Sequence, residues 1–286
     1  MTDSQHCYLC GRSMTRLVVA NAEYSYVACS SCGFRRRHPL PTFEEEDHLY
    51  LDEYYVDRRL ETDLDHQPRL MRSIIDDRVR MLTELNGGPG RLLDLGAGTG
   101  LFVEASHRAG WRAMGVETSA AAVRIAGTIT QAPVVLGRIE ELTFDGSFDA
   151  VTLWDVLEHV PDPRATLGTV GQLLRPAGIV GISLPNVAGM KARLRGDRWR
   201  YYQRSFGHLS HFSPSTVETL FVQAGYEVER LTTTGSFNLG KPFGLDPVDV
   251  REHHAGLSAV QALADGVVRR LGAGESLVAF ARHVGS

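Results

Sequence analysis

The chain has 286 residues, a formal net charge of −4 and 22% charged residues, the proportions of an ordinary globular protein with room for one large domain and a small appendage. A slightly acidic balance gives no general reason to expect nucleic-acid binding. No apolar run approaches a membrane span and the N-terminus carries no signal-peptide pattern, so a cytoplasmic protein is expected.

All four cysteines lie within the first 32 residues, as Cys7-x-x-Cys10 and Cys29-x-x-Cys32 with 18 residues between the pairs. Each pair can place two thiolates on one metal at a tight turn, and two pairs complete a tetrahedral set. Gly11 and Gly33 follow the second cysteine of each pair, where the turn needs a permissive backbone. Two disulfides are the alternative, which a reducing compartment disfavours. The expectation is a zinc ribbon over residues 1–41, closed by Pro39-Leu40-Pro41, with Cys7, Cys10, Cys29 and Cys32 ligating a structural Zn2+. Arg35-Arg36-Arg37 lies beside it.

Residues 42–86 read as a helical linker or cap. Its first part, 43–65, holds ten Asp or Glu residues and the tyrosines Tyr50, Tyr54 and Tyr55. A helix is predicted over 69–85, where Leu70, Ile74, Ile75, Val79 and Leu82 recur at helical spacing. Asn86-Gly87-Gly88-Pro89-Gly90 ends it.

From Leu92 apolar strands alternate with helices, which argues a parallel sheet in an α/β fold. The first strand ends in Asp94 and runs into Gly96-Ala97-Gly98-Thr99-Gly100, followed by a helix over 101–109. Such glycines serve where a backbone turns sharply and a ligand approaches the main chain. This turn at the carboxyl edge of a sheet is where open α/β folds bind nucleotides. The next strand, 111–116, ends at Glu117, at the distance a ribose-binding carboxylate needs. Thr118 or Ser119 caps the helix that follows, and Arg138-Ile139 follows the third strand.

The fourth strand ends at Trp154-Asp155. Glu158 and His159 come one helical step later and read as stabilising that turn. Asp162-Pro163 opens a helix carrying Leu167, Val170 and Leu174. A fifth strand ends at Ser183-Leu184-Pro185-Asn186. Lys191, Arg193, Arg195, Arg198, Arg200 and Arg204 then interleave with Trp199, Tyr201 and Tyr202 ahead of His208 and His211. Charge runs are commonly solvated faces. The position of this one favours a substrate lid over 190–215, with donors for phosphate or carboxylate. The final strands are 226–231 and 276–284, and the helical insertion 235–275 between them reads as a cap or a homodimer surface.

A G-x-G-x-G loop behind an aspartate resembles motif I of the class I S-adenosylmethionine-dependent methyltransferases. Three further segments resemble that family in the same order: Ser147 to Val160, Leu174 to Val180 with Ala177 where glycine is more usual, and Gly207 to Ser213, which is similar to the small-molecule branch. The resemblance implies a Rossmann-like sheet over 87–286, mostly parallel with the last strand antiparallel. It implies S-adenosylmethionine bound by Asp94, Gly96, Ala97, Gly98 and Gly100, with Glu117 and Thr118 at the ribose. Arg138 and Ile139 then fall near the adenine, where an arginine cannot accept a bond from the adenine amine, and Trp154 forms a pocket wall.

The chemistry expected is O- or C-methylation of a small-molecule acceptor, polar or anionic, from specialised or carbohydrate metabolism. His208 is the candidate general base, because an imidazole can take a proton near neutral pH. His211 and Asp155 are placed in support. Zinc-module sugar C-methyltransferases are similar here, with a Glu-His pair before Phe-Ser; His208 falls on that histidine and Gly207 on the glutamate. The alternative is an RNA or protein methyltransferase whose ribbon recognises the macromolecule, Arg35 to Arg37 suiting phosphates. The acidic balance and the acidic segment stand against it.

Overall fold

The computed structural model describes residues 6–20, 24–41, 65, 67, 69–203, 207–234, 266–267 and 270–284. Residues 43–64 of the acidic segment, Arg204 and most of the 235–275 insertion lie outside these residues. Two sheets organise the chain. The larger has seven strands: β4 (Arg91–Leu95), β5 (Arg112–Glu117), β6 (Val134–Leu136), β7 (Phe148–Trp154), β8 (Leu174–Pro185), β10 (Tyr226–Thr234) and β11 (Ser276–His283), in the order β10-β11-β8-β7-β4-β5-β6. Pairing is parallel from β6 through β8, and β11 inserts antiparallel between β8 and β10.

Helices α1 (Arg69–Asn86), α2 (Leu101–Arg108), α3 (Ala120–Ile129) and α4 (Pro163–Leu173) pack on the sheet. Ile75, Val79 and Leu82 of α1 join Leu92, Phe102, Val278 and Phe280 in one buried cluster. The caps follow the local chemistry. The Ser119 side chain accepts from the Ala122 amide, and Asp162 accepts from the Ala165 amide with Pro163 in the first turn. Ala177 holds a φ of 59°, the left-handed backbone that explains why glycine suits that turn.

The second sheet joins the two ends of the fold. Strands β1 (Met14–Ala20), β2 (Ser25–Cys29) and β3 (Arg35–His38) form an antiparallel meander, and the two-residue strand β9 (Ser210–His211) pairs with β3 through Arg35 and Arg36. Phe212 then bridges to Asn186 at the end of β8, so residues 210–212 touch both sheets. Apolar packing is continuous across the junction: Cys7, Leu9, Cys29 and Phe34 share a buried cluster with Leu93, Leu153, Phe212 and Phe221.

Between β8 and β9 run α5 (Met190–Arg195) and α6 (Arg200–Gln203), and α7 (Pro214–Gln223) follows β9. The basic stretch expected to form a lid divides by residue type. Arg193, Arg195, Arg198 and Arg200 are exposed and Lys191 pairs with Glu275 at 2.5 Å. Trp199 and Tyr202 are buried with Tyr24 and Tyr26 of the N-terminal module. The aromatics therefore pin this stretch to the ribbon. No helix among the described residues is long and apolar enough to cross a membrane.

Candidate active site

The carboxyl ends of β4, β5 and β7 meet at the glycine turn. Asp94, at the end of β4, is 2% exposed and its Oδ1 accepts a 2.6 Å bond from the Thr152 hydroxyl on β7. Burial pushes its carboxyl up to about 7, against the opposing pull of that bond and of Arg78. Gly96 has a φ of 69°, and a Cβ there would stand 2.6 Å from the Val156 side chain, so no other residue fits.

The turn donates inward. The amides of Gly96 and Ala97 bond the Val116 carbonyl, that of Gly100 bonds the Ala97 carbonyl, and that of Gly98 donates to Glu117 Oε2 at 2.8 Å. The loop therefore offers a ligand shape and close approach, and these four amides are already spent. Glu117 Oε1 also accepts from the amides of Thr118 and Ser119 at 2.8 and 2.9 Å. The carboxylate thus ties the end of β5 to the glycine turn, and Oε2 keeps a lone pair for a ligand hydroxyl. Arg138 and Ile139 are half-buried beyond β6, next to the Gly137 amide that bonds the Glu117 carbonyl at 3.0 Å.

Across the turn, Trp154 is packed by Phe102 and Phe280 and covered by the Arg78 guanidinium, 4.5 Å from its ring. Arg78 also donates to the Ser183 hydroxyl at 3.0 Å and lies 3.9 Å from the Asp155 carboxylate. Sequence reasoning passed over this arginine, because position 78 looks like the polar face of an amphipathic helix. Asp155 has a φ of 56°, held by bonds from its amide to the carbonyl and hydroxyl of Ser183. A non-glycine residue in that conformation costs about 1–2 kcal/mol, least for Asp and Asn.

The histidines sit where the two sheets join. His208 is 6% exposed, with Tyr201 stacked on it at 5.2 Å and His159 edge-on at 4.6 Å. Burial pushes its imidazole far below the usual histidine range, helped by His159 and His211. His211 is 1% exposed inside a box of Tyr26, Trp199 and Tyr202, and burial takes it down to about 3. Burial thus favours the neutral form of both imidazoles. His211 lies beneath His208, their ring centres 5.7 Å apart.

The ribbon grips this segment directly. Tyr26 donates to the His208 carbonyl at 2.6 Å, and the Arg37 amide donates to the Leu209 carbonyl at 2.9 Å. The amides of Leu209 and Ser210 bond the Glu158 carbonyl from the other side. The turn-stabilising role expected of Glu158 falls to its backbone; its side-chain oxygens make no hydrogen bond among the described residues.

At the ribbon's other end the four cysteines are unbridged, and their sulfurs all lie within 4.8 Å of one another. Cys7 and Cys32 approach to 3.5 Å and Cys10 and Cys29 to 3.4 Å, close to the edge of about 3.8 Å that a tetrahedron with zinc–sulfur bonds of about 2.3 Å requires. The Gly11 and Gly33 amides close each turn onto the Cys7 and Cys29 carbonyls. The donor set fits a four-coordinate soft metal.

Fold and site together define a class I methyltransferase architecture: a mostly parallel sheet with an antiparallel last strand, and an acid–glycine turn–acid edge. The methyltransferase-domain family matches residues 64–231, and the chain belongs to that family, whose members use S-adenosylmethionine as methyl donor. A ubiquinone biosynthesis O-methyltransferase of Xanthomonas campestris is 37% identical over 103 residues, 34% of this chain, and the chain spans 43% of that relative's length. Among solved structures, the magnesium protoporphyrin IX methyltransferase of Synechocystis with bound S-adenosylhomocysteine aligns with a TM-score of 0.55 at 14% identity, over 84% of this chain and 98% of that one. The 1,6-didemethyltoxoflavin-N1-methyltransferase of Burkholderia thailandensis aligns with a TM-score of 0.52 at 18% identity, over 95% and 100%.

Proposed function

We propose that this protein transfers a methyl group from S-adenosylmethionine to a small, hydroxylated or otherwise acidic acceptor in biosynthetic metabolism. The observation that carries the reading is the convergence of Asp94, the Gly96–Gly100 turn, Glu117, Trp154 and Asp155 on one edge of the sheet, in a chain of the methyltransferase-domain family. Asp94 and Arg78 take the ammonium and carboxylate of the cofactor's methionine end. Gly96, Ala97, Gly98 and Gly100 admit it closely. Glu117 and Thr118 take the ribose, Arg138 and Ile139 flank the adenine, and Trp154 walls the sulfonium side. The acceptors in the names of the related proteins are small molecules, which supports the acceptor class.

In the reaction the carbon–sulfur electron pair stays on sulfur, leaving the neutral thioether. The acceptor supplies the new bond's electron pair and gives up its proton. The electrophile is already cationic, so the protein's main work is alignment and exclusion of water. His208 stands at the acceptor, with His211 (ring centres 5.7 Å apart) and Asp155 at the end of β7 in support. Zinc on Cys7, Cys10, Cys29 and Cys32 is structural, since four thiolates leave no position for a reacting water. A cytoplasmic setting suits those reduced thiolates.

The arginine run that would have served an RNA acceptor is spent within the chain. Arg35 donates to the Tyr202 hydroxyl, Arg36 donates to the Pro161 carbonyl at 2.6 Å, and Arg37 lies 4.3 Å over the Tyr24 ring. Calorimetry with S-adenosylhomocysteine, followed by label transfer to a panel of phenols, sugars and hydroxy acids, tests the proposal. Cofactor binding with label in a small acceptor is expected; label transferred to RNA or protein and to no small molecule overturns it.

A further inference from the structure

A second group of metal-type ligands lies apart from the cysteines. One ligand atom from each of Glu158, His159 and His208 falls within 4.8 Å of the others. Glu158 is 1% exposed, and neither of its oxygens has a hydrogen-bond partner among the described residues. Burying a carboxyl group without partners costs about 1–3 kcal/mol or more, and proteins normally avoid it by pairing or by coordinating a metal. His159 and His208 beside it offer imidazole nitrogens, the commonest metal donors.

We propose that Glu158, His159 and His208 form a divalent-cation site, separate from the ribbon zinc, whose remaining coordination positions take an oxygen of the acceptor. Three protein donors leave positions open, unlike the closed cysteine set. Mixed nitrogen and oxygen donors suit Mn2+, Fe2+, Co2+ or Zn2+. Asp155 immediately follows β7, three residues before Glu158, and its carboxylate lies 3.9 Å from Arg78. The proposed cation therefore belongs to the turn that leads directly from the cofactor edge of β7. This inference rests on the methyl-transfer reading and refines it: in place of direct proton abstraction by His208, the cation lowers the pKa of the bound acceptor hydroxyl, whose proton passes to solvent water, and the oxygen then takes the methyl while the carbon–sulfur pair stays on sulfur.

The local architecture fits a site built for a ligand. The Glu158 carbonyl receives the amides of Leu209 and Ser210, so the turn carrying two donors is bonded to the segment carrying the third. Tyr201 stacks on His208 and Tyr26 holds its carbonyl, which fixes the imidazole from two elements. Fixing of this kind around a metal ligand is worth about 10–100-fold in affinity.

The test uses the full chain with its ribbon zinc in place. Mn2+ is the probe, because it prefers oxygen and nitrogen donors and competes poorly for thiolates. Electron paramagnetic resonance titration should show one bound Mn2+ per chain in addition to the ribbon zinc. Glu158→Gln and His208→Ala should each weaken it by about 100-fold or more, with ribbon zinc content and S-adenosylhomocysteine affinity unchanged. No Mn2+ bound at millimolar concentration, or equal affinity in both variants, overturns the site. Methyl transfer that proceeds without a second metal also overturns it and leaves the methyltransferase reading standing. Mn2+ binding with no transfer to any acceptor sinks that reading and keeps the site.

Discussion

The ribbon and the seven-stranded sheet reach order by different physical routes. The sheet buries strands on both faces: Leu93, Val151, Val180, Ile182 and Ala279 are almost fully inaccessible, and its helices cover them. The ribbon has short strands, of which β1 is largely exposed, and its few buried side chains lie against the neighbouring domain. A module of that size needs a metal, a partner surface or both. What the difference teaches is a division of labour. The sheet edge carries the proposed cofactor groups, while the ribbon bonds to residues 208–211, which include the proposed acceptor group His208.

The largest effect expected on this division is at His208. His208→Ala should lower turnover by about 10²–10⁴-fold with little change in cofactor affinity. Steady-state kinetics beside calorimetry will check it, and near wild-type turnover would remove His208 from the chemistry.

A pH effect should appear on the cofactor side. Burial pushes the Asp94 carboxyl up to about 7, and on the proposed assignment the cofactor's ammonium favours its charged form. Binding below that value must release a proton, so affinity should rise by about tenfold per pH unit up to about 7 and then level. Without cofactor the sign is opposite for folding: the raised carboxyl costs stability that is lost progressively as pH rises from the ordinary aspartate range to about 7. Calorimetry from pH 5 to 8 measures the first effect, and Asp94→Asn should flatten it.

Glu117→Ala should weaken the cofactor by about 1–3 kcal/mol, since it removes a ligand acceptor and leaves the Gly98 amide without its partner. The loss should fall in affinity more than in the chemical step, because the ribose is held alike in ground and transition states. Unchanged affinity would break the assignment of β5 to the ribose. Smallest of all, Tyr26→Phe should cost about 1 kcal/mol of stability through the lost bond to the His208 carbonyl. It should also lower turnover several-fold without touching cofactor affinity; a proportional loss of cofactor binding would blur the boundary between the two sides.

Much of this was legible in the sequence where chemistry is local. The Asp94–Gly100 turn, the strand alternation and the paired cysteines are short-range patterns with few physical solutions. The antiparallel run of the last strand came from the family resemblance. The docking of the ribbon was not legible: β9 has two residues, and its partner Arg35 lies far away in sequence, so no periodicity announces the pairing. Arg35 to Arg37 looked like a basic patch for the same reason, since their internal partners Tyr202, Pro161 and Tyr24 are set by tertiary contact. Glu158 and His159 looked like turn stabilisers, because only folding brings His208 beside them.

The central claim is that the ribbon builds the acceptor side of the site and leaves the cofactor side to the sheet. Hydrogen exchange on the zinc-loaded and zinc-depleted protein tests it most directly. Depletion should raise exchange at the ribbon and at the amides of Arg37, Leu209 and Ser210, while strand Arg91–Leu95 stays protected and S-adenosylhomocysteine still binds. Unchanged protection at Leu209 and Ser210 after the ribbon has opened, or loss of protection across Arg91–Leu95 with it, would contradict the account.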